Sequence, residues 1–516
     1  MLDRWQQSGS FLREYSVVRE FLRQAEYSEQ AVCDRLGLRG LHDYLSGGQR
    51  PAPSARTEGP DALDILIRVF FEGYCLDRHL VERFVPSAVS ESMEALGILC
   101  VSSADAGQFY SPVALYPLCG LYIASDRWKN PDGSTLSPMQ DYVFPAMHPL
   151  TYGFLESLPQ SPCDRFLELC SGTAIAALSA SARFARHSWA VDITRRSTQF
   201  GEFNRRLNQL SNVTVLQGNL YEPLGDARFD RIVAHPPYVP ALEPGAIYAD
   251  GGEDGESITR AVVQGLPRFL EPDGRFYCAT MGVERVDEPY EQRVRQWLGA
   301  EQADFDVLFI AERSQTPAQF AYRATRNSKG DWEKMRQWRT HLGNLKVRSL
   351  VNGMLVIQRK GAARSGFTVR RQKGEGSRAA EAEWLWSWET MLAGASGVDL
   401  LLRSRPLASP NFELHVVYAR RNGALTPLKH KLKAAHPFAV EYECEAWMAT
   451  LVARCDGKTT GLELVEEGTR DQWIPPGMAN EQFAAAIGGL VSGGILEIEG
   501  FEPPQYERPT ADVFRL

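Results

Sequence analysis

Apolar residues recur at helical spacing over 11–46, and the pattern continues through 61–74, 80–85 and 90–103 into an alternating run at 107–126. These patterns predict helices followed by a short hairpin. A polar, proline-containing linker at 46–61 interrupts them. Farther on the pattern changes. Short apolar runs at 165–170, 188–193, 213–218, 230–235 and 274–280 alternate with helical segments at 177–185, 200–210 and 257–270. Such alternation predicts an α/β region with a parallel sheet covered by helices on both faces. Its ligands bind beyond the carboxyl ends of the strands, where the strand order reverses.

Four segments follow from this reading: a helical domain at 1–150, the α/β domain at 151–330, a basic connecting segment at 331–380 with one strand candidate at 353–358, and a last domain at 381–516. Helices followed by a hairpin resemble a winged helix, and 444–457 with 481–500 predicts a second such unit. No tandem repeat is evident. With 44% hydrophobic and 23% charged residues, the chain is an ordinary globular one. No apolar run is long enough to span a membrane, and the charged N-terminus lacks a signal-peptide core, so a cytoplasmic location is expected. The nine cysteines form no CxxC pair and the nine histidines do not cluster, which argues against a metal site. Charge is uneven. Residues 321–380 hold 15 Lys/Arg against 3 Asp/Glu, so a net charge of −8 divides into +12 here and −20 elsewhere. Such a stretch either contacts phosphates or forms a solvated surface.

Candidate chemistry falls at the strand ends. The first strand leads through Glu168 into Cys170-Ser171-Gly172-Thr173-Ala174, a small-residue turn that lets a ligand approach helix N–H groups. Glu168 either reaches that ligand or organises the loop. The second strand ends in Asp192, which suits two ribose hydroxyls or caps the next helix. The third ends near Asn219, placed for an adenine edge or for an Asx turn. The fourth ends in His235-Pro236-Pro237-Tyr238. The Pro-Pro step stops the strand and leaves carbonyls to accept from a ligand amine, while Tyr238 offers a face for a planar group.

Residues 163–282 resemble the class I S-adenosylmethionine-dependent methyltransferases, in the small-domain branch that includes protein-glutamine and RNA or DNA amino-group enzymes. The branch's glycine loop corresponds to Glu168–Ala174, its ribose acid to Asp192 and its adenine-contacting position to Asn219. Its (N/D)PPY motif falls on His235–Tyr238. Tyr248–Gly255 resembles the G-G-x-D-G segment of the glutamine enzymes, and Leu270–Phe276 resembles the branch's L-x-P-G-G turn. The resemblance implies a doubly wound Rossmann-like sheet, with Glu168, Cys170, Gly172, Ala174, Asp192 and Asn219 at the S-adenosylmethionine and His235, Pro236, Pro237 and Tyr238 at the acceptor. Cys170 and Ala174 replace glycines, and a positive φ at the first would strain it.

In that branch the polar residue and the first proline's carbonyl accept from the target amine and aim its lone pair at the methyl group. A neutral His235 can accept one such bond and take the departing proton, so transfer is expected to fall as pH drops through about 6.5. The expected activity is N-methyl transfer to an RNA or DNA base amino group, with 321–380 as nucleic-acid contact. A protein glutamine or other side-chain amide is the alternative acceptor, followed by a small metabolite. A scaffold built on an inactive methyltransferase domain is the alternative of another class. A dehydrogenase is disfavoured because the GxGxxG spacing is absent.

Overall fold

The computed structural model describes residue 5 and residues 11–45, 60–102, 105–129, 139–286, 288–325, 331–375, 379–394 and 396–505; most of the expected linker, 46–59, lies outside them. The chain forms two compact units that do not follow chain order. One comprises Met1–Val283 with Pro317–Leu350, the other Glu284–Thr316 with Val351–Leu516.

In the first unit, strands β1 (Cys163–Leu169), β2 (Ala185–Asp192), β3 (Val213–Gln217), β4 (Phe229–Ala234) and β5 (Leu270–Arg285, through Val283) lie in the order β5-β4-β1-β2-β3. All four pairings are parallel. Burial on both faces explains the nearly continuous apolar runs that marked these strands. Helices α1 (Ile175–Arg183), α2 (Arg195–Leu207) and α3 (Ser257–Phe269) connect them. Strand order reverses between β1 and β4, so the carboxyl ends of these two strands flank a crevice. Asp230 fixes their register by accepting from Asp164 N at 2.7 Å and Arg165 N at 2.8 Å.

Before the sheet, strand Leu76–Asp77, helices Arg78–Phe84 and Ser87–Ala95, and strands Cys100–Val101 and Gln108–Tyr110 follow one another. The third strand pairs antiparallel with both others. The next hairpin, Ala114–Leu118 with Leu121–Ser125, docks on α2. Asn204 takes both backbone groups of Ala124, and Asn208 both of Tyr122, at 2.7–3.1 Å. Helices Pro317–Thr325 and Trp332–Asn344 enclose an apolar core of Phe320, Trp338 and Leu342 with Met281 and Val283.

In the second unit, Phe305–Gln315, Thr368–Lys373, Phe438–Cys444, Ala424–Ala434 and Phe412–Arg421 are successive neighbours in one sheet. Helices Ala446–Arg454, Gly461–Arg470 and Asn480–Ser492 precede strand Leu496–Glu497, which pairs with Leu407–Ala408.

The stretch read as a basic connector is ordered structure, and it includes the strand Thr368–Lys373. Five of its cations meet acids distant in sequence. Arg359 meets Glu301, Arg364 meets Asp306, Arg370 meets Glu284 and Glu291, Arg371 meets Glu389, and Lys373 meets Glu312. A local charge count sees none of these partners. Among the described residues, no helix is long and apolar enough to cross a membrane, and no group of acids, cysteines and histidines is arranged to hold a metal.

Candidate functional site

A cavity of about 520 Å³ opens at the carboxyl ends of the parallel strands. It gathers Glu168 at the end of β1, Cys170–Thr173 and Ile175 after it, Asp192–Thr194 at and after the end of β2, Gly218–Leu220 after β3 and His235–Val239 after β4, whereas Ala174, expected at the cofactor, is buried away from the cavity. Sequence reasoning assigned these turns to one ligand, and they do line one space.

Glu168 organises the loop. Its carboxylate is buried and accepts from Ala176 N at 3.2 Å and Ala177 N at 2.8 Å, in the first turn of α1. Burial pushes its pKa up to about 8 against the opposing effect of those two bonds, and the nearby Asp192 adds to the rise. The turn after it has three residues with positive φ: Cys170 at 55°, Gly172 at 51° and Ala174 at 64°. The strain expected at Cys170 is therefore present, and Ala174 shares it, at about 1–2 kcal/mol for each non-glycine residue. Gly172 differs. A Cβ built there would meet nothing within 4 Å, so the backbone faces open space.

Asp192 does not cap α2; Thr194 does, accepting from Ser197 N at 3.0 Å. Instead, Asp192 ties two loops together. One oxygen accepts from Gly172 N at 2.9 Å, the other from Thr194 N at 3.0 Å and Thr194 Oγ1 at 3.1 Å. Burial raises its pKa. Asn219 is exposed at the cavity edge, where its backbone carbonyl accepts from Glu222 N at 3.1 Å and its side-chain amide N–H donates to Glu222 Oε1 at 3.3 Å. The local turn uses part of its capacity.

At the end of β4, the imidazole of His235 lies between Phe154, at 5.3 Å, and Tyr238, nearly parallel at 5.7 Å. Its side chain makes no hydrogen bond among the described residues. Burial, with His148 nearby, lowers its pKa to about 4. The expected loss of function near pH 6.5 is corrected accordingly: the ring stays neutral well below that value. The carbonyls of Pro236 and Pro237 accept no hydrogen bond among the described residues. Tyr238 packs on the core under the helix Trp332–Asn344. The Tyr248–Gly255 segment folds back on this turn, with Val239 N donating to Ala249 O and Gly251 N to Val239 O, each at 2.9 Å. Gly255, at φ 78°, must be glycine because a Cβ would come within 2.5 Å of Tyr238 O.

Two features were missed in the sequence. Residues 140–154 wall the cavity with Tyr142, Phe144 and Phe154, and Phe144 stacks on Tyr248 at 5.4 Å. The aromatic density of that stretch was the available signal. The second is Ser171 Oγ, buried at the cavity with no hydrogen-bond partner among the described residues. A buried hydroxyl without a partner costs free energy that a polar ligand would recover.

The family model for the methyltransferase small domain matches residues 150–303. This part of the chain is a methyltransferase small domain. It is 34% identical over 162 residues to the ribosomal protein uL3 glutamine methyltransferase of Bradyrhizobium diazoefficiens, covering 29% of this chain and 50% of that protein. It is 40% identical over 75 residues to the release factor glutamine methyltransferase of Geobacter sulfurreducens, covering 12% of this chain and 26% of that one. The chain thus spans half or less of the length of these curated relatives. Among solved structures, the ribosomal protein L11 methylase of Lactobacillus delbrueckii subsp. bulgaricus is 19% identical, with 41% of this chain and 77% of that one covered at a TM-score of 0.24.

The domain's site suits S-adenosylmethionine, the cofactor expected from the sequence. The open space at Gly172, the unpartnered Ser171 hydroxyl and the lone pairs left on Asp192 form a polar cradle, and the exposed Ile193 beside it offers an apolar face.

Proposed function

We propose that the protein is an S-adenosylmethionine-dependent N-methyltransferase whose acceptor is a side-chain amide of a protein, glutamine foremost. One observation carries this reading. The unbonded Pro236 carbonyl and the neutral His235 share a single cavity with the Gly172–Asp192 cradle. The two glutamine methyltransferases among the relatives support an amide acceptor over the base amino group expected first. Five of the 321–380 cations pair with acids of the same fold, which weakens the charge argument for nucleic acid.

S-adenosylmethionine, when bound, supplies a methyl group already activated on a sulfonium. Ser171, Gly172 and Asp192 would hold it, with Asn219 toward the adenine. The protein's remaining task is orientation. Pro236 O and one His235 nitrogen each accept an N–H of the acceptor, which directs the nitrogen lone pair toward the cradle. Phe154 and Tyr238 flank the imidazole and limit its rotation. The apolar wall at Tyr142, Phe144 and Phe154 excludes water from the transfer. A methylated, protonated amide is a far stronger acid than an imidazolium. His235 can therefore take its proton even with a pKa of about 4.

The test is transfer of a labelled methyl group into fractionated cell protein, RNA and DNA by the full chain. Label in protein, lost in Asp192→Ala, is expected. Label in RNA or DNA would overturn the acceptor. Absence of cofactor binding by calorimetry would overturn the methyltransferase reading itself.

A further inference from the structure

The second unit carries a β-ribbon that the proposed reaction does not use. Its strand Phe412–Arg421 pairs with Ala424–Ala434 along one edge, and its backbone makes no hydrogen bond on the other among the described residues. It ends the sheet order. Leu414, Val417 and Tyr418 are 41%, 51% and 55% exposed. The register shift between Val417 and Tyr418 places the extra residue, Leu428, on the inner strand, so the outer strand runs unbroken over its 10 residues. A long continuous edge bearing exposed apolar side chains is a template for another strand.

We propose that this edge pairs antiparallel with the same edge of a second copy of the chain, about a two-fold axis at Val417. A two-fold antiparallel pair sets one residue opposite itself and every other residue opposite one of the same parity, which keeps each side chain on its own face. Glu413 is the strand's acid, and Arg420 and Arg421 are its arginines. Arg420 has the wrong parity to face Glu413. Only the register centred on Val417 sets Glu413 opposite an arginine, Arg421, and symmetry repeats the pair. The same register lays Val416 against Tyr418 and Val417 against itself, with Leu414 opposite Arg420. Arg421 makes no ion pair among the described residues. Glu413 meets His415 Nε2 at 2.7 Å, and a carboxylate accepts from more than one donor.

The test is sedimentation of the full chain over a range of micromolar concentrations. A species of twice 57.7 kDa is expected. Val417→Lys sets like charges at the axis and Arg421→Glu sets acids opposite each other; each should weaken dimerisation about tenfold or more. The double variant E413R/R421E should restore it. Because these side chains are exposed, far-UV circular dichroism of the variants should match that of the native chain, while the native melting temperature alone should rise with concentration. A monomer at every concentration would overturn the proposal, as would a dimer indifferent to V417K and R421E. Failure of the charge swap to rescue, or a monomer that binds RNA through Arg421, would also overturn it. None of these readouts depends on methyl transfer.

Discussion

Asn204 and Asn208 show how the helix α2 holds a strand without belonging to a sheet. They stand one helical turn apart, about 6 Å. Alternate residues of a strand are about 6.6 Å apart. The two amides therefore meet Ala124 and Tyr122 in register, each giving an N–H and accepting one. Asn204 is fully buried and also donates to Thr173 O at 3.1 Å, which anchors the cofactor loop from behind. Replacing it with leucine keeps the branched outline and leaves Ala124 N–H, Ala124 C=O and Thr173 C=O without that partner. At about 1 kcal/mol or more for each buried orphan, less about 1 kcal/mol gained from apolar burial, Asn204→Leu should cost about 2–3 kcal/mol. Asn208→Leu should cost about 1 kcal/mol, because Tyr122 is half-buried and water can replace the amide. Urea denaturation of the full chain reads both. A cost for N204L within about 0.5 kcal/mol of zero, the usual range for surface changes, would refute the reasoning. So would a larger cost for N208L.

Glu168 makes stability fall as pH rises. The folded state holds its proton up to about pH 8, whereas the unfolded chain loses it near 4.5, so stability conferred below 4.5 is lost through that window. The unfolding free energy from urea denaturation should drop by an amount on the order of a few kcal/mol between pH 5 and 8. Glu168→Gln should flatten the drop, leaving the same-signed contribution of Asp192; an equal drop in the variant would count against the assignment. His235 should keep methyl transfer level from pH 5.5 to 8, with a decline only toward its pKa of about 4; a midpoint near 6.5 in the rate profile would contradict this. Gly172→Ala should fold, at a cost of about 1 kcal/mol for its positive φ, yet weaken cofactor binding tenfold or more. Calorimetry with S-adenosylhomocysteine would measure it, and unchanged affinity would mean the open space at Gly172 is not the cradle.

The parallel sheet was legible because strands covered on both faces must be apolar throughout, and because each ends in a turn with its own chemistry. The left-handed backbone at Cys170 followed from its place in a glycine loop. Other features depend on contacts that no local pattern encodes. Tyr142, Phe144 and Phe154 sit at no strand or helix period, since most of that wall precedes or merely enters a helix of 8 residues. Arg364, Arg370 and Arg371 find Asp306, Glu284 and Glu389 across long sequence separations, so part of a basic run became ion pairs within the fold. Thr368–Lys373 has no alternation of apolar and polar residues, and its pairing with Phe305–Gln315 makes it a strand. At Asp192, the choice between ribose acid and helix cap rested on whether Thr194 would take the cap, a matter of backbone geometry.

The most direct measurement is mass-spectrometric mapping of the methylated atom in the acceptor that the full chain labels. The account predicts a methyl group on the side-chain amide nitrogen of a glutamine, formed by the native protein and not by His235→Ala. A methyl group on a nucleobase, on a carboxylate or hydroxyl oxygen, or one deposited equally well by the variant would contradict it.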